Sequence, residues 1–204
     1  MHRPLGGNSQ LEESMFENYK IILASASPRR RELLAGLDVA FEMRVVPGIE
    51  ESYPHDLPVE EIPQYISREK ALAYKAVDNE LVITADTVVI LDDEVLGKPV
   101  DDADATRMLR KLSGKTHRVI TGVTLTTATR QRSFHVTTEV TFKSFTEEEI
   151  SYYINHYHPL DKAGAYGIQE WIGYVGVTSL KGSFFNVMGF PVQRIYEEIC
   201  KLDD

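Results

Sequence analysis

Apolar and polar positions along the chain follow strand and helix periods in turn. The apolar run Ile21 to Ala24 predicts a buried strand, and a Ser-Ala-Ser-Pro turn carries it into three consecutive arginines, Arg29 to Arg31. Ser27 reads as an N-cap and Pro28 as the first helical residue, because proline's missing N–H costs nothing there. Gly36 ends that helix, and Phe41 to Val46 reads as a second strand running into Pro47-Gly48. From Val59 to Ala76, Ile62, Ile66, Ala73 and Tyr65, Leu72, Ala76 fall at helical spacing, with Pro63 tolerable only in the first turn. Leu81 to Thr84 and Thr87 to Leu91 are strand segments interrupted at Ala85-Asp86, before Asp92-Asp93 turns the chain into Val95-Leu96.

Asp101 to Leu112 predicts a helix burying Ala105, Met108, Leu109 and Leu112, with Gly114 near its C-cap. His117 to Thr127 and Arg132 to Phe145 alternate in the manner of an antiparallel pair. Thr146 and Glu149 form a capping box that opens a helix through Ile150, Tyr153, Ile154 and Tyr157. Trp171 to Leu180 is strand-like, Gly182 to Asn186 a loop, and Pro191 to Leu202 a closing amphipathic helix.

Composition narrows this to an ordinary globular chain. With 204 residues, 43% of them apolar and 26% charged, one domain over residues 19–204 is expected, preceded by a polar extension over 1–18. That extension has no apolar core of a secretory signal, and no apolar run approaches the roughly 18 residues of a membrane span, so a cytoplasmic protein without membrane contact is expected. The single cysteine, Cys200, permits no internal disulfide and no cysteine metal cluster; among Ile195, Ile199 and Leu202 it reads as a core-facing position. A net charge of -9 argues against binding a nucleic-acid polymer, whose affinity rests on neutralising many phosphates. A small anion can still be drawn to a local basic site, because a cleft lined by one sign of charge focuses the field.

Candidate chemistry gathers at few places. The free N–H groups of the first helical turn and the side chains of Arg29 and Arg30 converge on one volume suited to phosphate; the alternative is a capped helix with a solvated basic turn. Glu50 and Glu51 follow a glycine turn and are either cation ligands or solvated loop acids. Arg68, Glu69 and Lys70 are an exposed helix face unless the arginine turn needs further cations. Asp86 between two apolar runs is either a satisfied structural turn or a catalytic acid or base. Lys98, between Gly97 and Pro99, can be aimed at a phosphate or simply solvated. His156 and His158 lack any zinc-ligand pattern and read as surface residues. Leu160 to Gln169 packs small residues around the Asp161-Lys162 pair, and the Gln169 amide can offer both donor and acceptor to a base edge.

Taken together, SASPRRRELL, REKA, ADTVV, LGKP, KLSGKTH, TGV, LDKAGAYGIQ and NVMGFP resemble the Maf family of nucleoside triphosphate pyrophosphatases, from about Ile21 to the C-terminus. The resemblance implies a mixed α/β fold, an elongated curved sheet flanked by helices with a deep central cleft. It implies hydrolysis of a nucleoside triphosphate to monophosphate and diphosphate, with a divalent cation, Mg2+ or Mn2+. Asp86 matches the family's proton acceptor, Arg29, Arg30, Lys70 and Lys98 its phosphate-facing cations, and Glu51 the acid that joins Asp86 at the metal. Ser25 and Lys162 belong to the same substrate-contacting motifs. The specificity positions are Arg29, Thr87 and Gln169, a set similar to the branch acting on dTTP and UTP. The 7-methyl-GTP branch usually carries tryptophan where this chain has Arg29. A homodimer is also implied. The alternatives are a 7-methyl-GTP pyrophosphatase and a nucleotide-binding regulator of septum formation without turnover.

Overall fold

The computed structural model describes residues 18–202; the expected extension over 1–18 lies, but for Asn18, outside the described residues. Seven strands form one mixed sheet in the order β2-β1-β3-β5-β6-β7, with β4 attached to β3. In chain order the elements are β1 (Lys20–Leu23), α1 (Pro28–Ala35), β2 (Phe41–Met43), α2 (Ile62–Leu72), β3 (Glu80–Leu91), β4 (Glu94–Leu96), α3 (Asp102–Leu112), β5 (Thr116–Thr126) and β6 (Gln131–Phe142). Then follow α4 (Glu147–Tyr157), α5 (Trp171–Gly176), β7 (Val177–Lys181), α6 (Phe184–Val187) and α7 (Val192–Cys200). β1 runs parallel to β2 and β3, and along β3-β5-β6-β7 each strand is antiparallel to the next. No helix among the described residues is long and apolar enough to cross a membrane.

The cores follow from which face each helix buries. Leu33 and Leu34 of α1 meet Ile21, Leu23, Leu81 and Ile83 together with Ile195 and Ile199 of α7. On the other face Ile62 and Ile66 of α2 lie on Val88, Ile90 and Ile120. Gly122 lets α2 come so close: a Cβ there would stand 2.2 Å from the backbone of Pro63 and Gln64. A third core joins α3 and α4 to Val119, Val140 and Phe142. Each fully buried aliphatic side chain in such a core contributes about 1.5–3 kcal/mol of transfer free energy.

The site arises from a break in pairing. β5 runs along one edge of β3 from Val82 to Ile90. On the opposite edge, β1 pairs with β3 only as far as Ile83 and β4 only from Val89 onward. Residues 84–88 have no strand on that side, so their backbone groups must find other partners. The turn from β1 into α1 is directed at this gap.

Several sequence expectations are corrected here. Ala85-Asp86 does not interrupt a strand, since β3 is continuous through both. Helix α2 stops at Leu72, leaving Leu72 and Ala73 exposed and Ala76 beyond the helix, because the chain turns there to bury Tyr74 instead. Trp171 to Gly176 is helical, with Ile172 and Gly176 one turn apart on the buried side, and only Val177 onward is strand. The 182–186 loop contains the short α6, and β2 ends at Met43. Cys200 is exposed: α7 buries Val192, Ile195 and Ile199, which puts the next residue on its flank.

Candidate active site

A cavity of about 480 Å³ opens at the gap in β3, and every residue assigned to the site from the sequence lies on its wall. The first wall is the turn into α1. The Ser27 hydroxyl accepts from the Arg30 amide at 3.4 Å, and the Ser25 hydroxyl accepts from the Ser27 amide at 3.2 Å and from the Arg30 guanidinium at 3.5 Å. Arg30 reaches across the gap. Its guanidinium donates to the Ala85 carbonyl at 2.8 Å, to the Thr87 hydroxyl at 3.1 Å and, through Nε, to the Gly189 carbonyl at 2.9 Å. Gly189 has φ of 104°, a conformation L side chains rarely adopt, which accounts for the glycine of NVMGFP. Arg30 thus closes the open strand edge and holds three segments together, leaving little of its donor capacity for a ligand. Thr87 also bonds the Thr121 hydroxyl at 2.9 Å, so its side chain is fixed from two sides. Arg31 is exposed and takes no part in the wall.

The second wall centres on Lys70, which α2 aims over β3. Its ammonium lies 2.8 Å from the Glu51 carboxylate and 2.8 Å from the Asp86 carboxylate, and donates to the Ala85 carbonyl at 3.5 Å. Asp86 is 8% exposed; a carboxylate so placed is costly without a cation, and Lys70 supplies one. Burial pushes the Glu51 carboxyl up, but Lys70, helped by Lys98 and Arg30, outweighs it and holds the group below the usual carboxylate range. Among the described residues the second oxygens of Glu51 and Asp86 have no protein partner. The donor chemistry fits a hard divalent cation: two carboxylates are the usual protein contribution to a magnesium site, with substrate phosphates and water completing the shell. Among the described residues no three His, Cys, Asp or Glu side chains form a self-sufficient metal site.

The third wall inverts this pattern. Asp161 is 2.8 Å from the Arg29 guanidinium and 2.8 Å from the Lys162 ammonium. Burial raises its carboxyl, yet Lys162 and Arg29 together bring it down to about 2. Lys162 is held from behind by Glu170 at 3.2 Å, and Glu170 accepts a short hydrogen bond from the Tyr153 hydroxyl. Tyr153 in turn receives the Gly167 amide at 2.9 Å, which pins the segment carrying Gln169. The Gln169 side-chain oxygen is buried without a partner. Lys98 is exposed and forms no hydrogen bond or ion pair among the described residues; its loop is tied down by the Gly164 amide, which donates to the Gly97 carbonyl at 3.0 Å.

The structure therefore brings together Ser25, Arg29, Arg30, Glu51, Lys70, Asp86, Thr87, Lys98, Lys162 and Gln169, drawn from six separated stretches of chain. Glu50, His156 and His158 are exposed and off the cavity wall. Sequence reasoning did not single out Asp161 as a partner of Arg29, nor Glu170 and Tyr153 behind Lys162. The Asp-Lys adjacency was visible, but Arg29 is 132 residues away and no local signal joins the two.

The dTTP/UTP pyrophosphatase of Phocaeicola vulgatus is 62% identical over 188 residues, covering 91% of this chain and 97% of that protein. The proteins of the same name from Bacteroides thetaiotaomicron and Bacteroides fragilis are 57% and 55% identical, with the same coverage. Among solved structures, a HAM1 protein from Coxiella burnetii matches with a TM-score of 0.44 at 15% identity, over 89% of this chain and 98% of that one. The model describing Maf-like proteins matches residues 20–202, the stretch that contains all three walls, and the chain belongs to that family.

Proposed function

We propose that the protein hydrolyses a pyrimidine nucleoside triphosphate, dTTP or UTP, to the monophosphate and diphosphate. The observation that carries this reading is the Lys70 cluster: two carboxylates on one ammonium, facing a cavity whose other walls are cationic. The shared name of relatives at 55–62% identity supports the same substrates.

In this reading Asp86 accepts a proton from a water whose oxygen bonds to the α-phosphorus. The bond from that phosphorus to the α,β-bridging oxygen breaks, and its electron pair leaves with diphosphate toward Lys98 and Arg29. Lys70 holds the Asp86 carboxylate in place at 2.8 Å, and Arg30 keeps the strand edge around it from shifting. A divalent cation held by Glu51 and Asp86 would supply charge neutralisation for the phosphates. At the other end, the unpartnered Gln169 oxygen suits the ring N–H of a uracil or thymine.

Diphosphate release measured over a panel of nucleoside triphosphates, with magnesium or manganese, tests the proposal. Turnover is expected to be fastest with dTTP and UTP. A preference for 7-methyl-GTP would reject the pyrimidine assignment, and no release from any triphosphate would reject hydrolysis in favour of a binding protein.

A further inference from the structure

Arg29 occupies an unusual position for a phosphate-facing cation. It lies in the first turn of α1, a turn with no acidic residue, where the helix dipole disfavours positive charge. Its only ion pair among the described residues is with Asp161, which comes from a turn far along the chain. The two partners differ in freedom. The Arg29 side chain is 23% exposed and that of Asp161 is 58% exposed, so Asp161 can swing into solvent without leaving a hole in the wall. Lys162, the other cation on Asp161, has a second anion in Glu170 at 3.2 Å. Arg29 has no such second anion.

We infer that Asp161 is an internal competitor for Arg29, a positioning residue that makes the guanidinium available to phosphoryl oxygens only when an incoming anion displaces a carboxylate already in place. This rests on the pyrophosphatase reading for its consequence, though not for its test. A triphosphate carries enough charge, spread over enough contacts, to displace Asp161. The diphosphate product makes fewer contacts, so it meets a cavity in which Asp161 returns to Arg29 as the product leaves. The carboxylate thus lowers affinity for product, where an unoccupied guanidinium would hold it. Specificity gains as well, because orthophosphate and other small anions compete against the same internal contact.

The test is the affinity of inorganic diphosphate, measured by calorimetry on the full chain without turnover, for the wild type, Asp161→Asn and Asp161→Ser. About tenfold tighter binding is expected in both variants, and a matching fall in the inhibition constant of diphosphate in the triphosphate assay. A gain in affinity is a change that simple loss of structure does not produce. Asp161→Glu, which keeps the carboxylate, should stay close to the wild type. Adding Arg29→Gln to Asp161→Asn should abolish the gain, since the freed group is then gone. Unchanged or weaker diphosphate binding in both folded variants overturns the inference, as does a gain that survives Arg29→Gln. Absence of turnover in the wild type would instead count against the pyrophosphatase reading, leaving the diphosphate affinities as an independent measure of the Arg29–Asp161 competition.

Discussion

Lys70 and Asp161 stand at the centres of two clusters with the same geometry and opposite sign. Lys70 holds two carboxylates at 2.8 Å each, and Asp161 holds two cations at 2.8 Å each. The first leaves an excess of negative charge facing the cavity, suited to a metal cation. The second sets two cations around one carboxylate at the cavity wall, which in the proposed reading suits a phosphate chain. Exposure separates them further: the Lys70 side chain is 14% exposed and the Asp161 side chain 58%. A buried centre keeps its partners in one place, as a reacting group requires, whereas a centre at the mouth can exchange one partner for another. The comparison teaches that within one cavity the same kind of ion pair serves as fixed scaffold or as replaceable contact, according to how much water reaches it.

The sharpest way to break the comparison is Asp86→Asn. Lys70 keeps Glu51, so the fold should hold, while diphosphate release falls by about 10²–10⁴ if Asp86 is the proton acceptor; an effect below tenfold would put the chemistry elsewhere. Acid separates the clusters in a different way. The wall near Asp161 includes Tyr166, whose hydroxyl is 2.7 Å from Nε2 of His117, a buried ring with no partner for Nδ1. Burial lowers the His117 pKa from 6.5 to about 4. A histidine depressed in the folded state protonates first in the unfolded chain, so its stability is fully present above pH 6.5 and declines as pH falls toward 4. The loss over that window is about 3 kcal/mol, at 1.36 kcal/mol per unit. Urea unfolding at several pH values should show it, and His117→Gln should flatten that part of the profile. The smallest effect sharpens the contrast in specificity: Gln169→Leu would remove the one hydrogen bond proposed to reach the base. It should raise KM for dTTP and UTP about tenfold, with kcat little changed, the value of one such bond.

What the sequence revealed and what it hid follow from the range of the forces involved. Local signals were read correctly where a few residues decide the outcome. Examples are the Ser27 cap with Pro28 and the Thr146/Glu149 capping box, which is present in full. Asp86 was mistaken for a break because a carboxylate between apolar runs is unfavourable on local grounds; Lys70, on a different element, removes the objection. Trp171 to Gly176 reads as strand by residue type, yet Gly176 lets this helix sit against Phe145, where a Cβ would come within 2.4 Å of the ring. Glu198 defied the pattern as well: α7 buries it at 1% exposure, beside Arg132, Arg194 and Lys201. The individual members of the site were legible, each in its own motif. The pairing of Arg29 with Asp161 was not, because it depends on how the turn after α4 meets the first turn of α1.

The length of β4 acts as a ruler for the reaction chamber. Its ladder pairs Leu96 with Val89, and in the same register Lys98 would come to lie beside Thr87 and Pro99 beside Asp86. Pro99 has no N–H to contribute, and the Gly97 carbonyl is taken by Gly164, so the zipper stops short and the edge stays open. Room for a substrate is thus written into where hydrogen bonding ends, and lengthening that hairpin would close the chamber without altering any residue inside it.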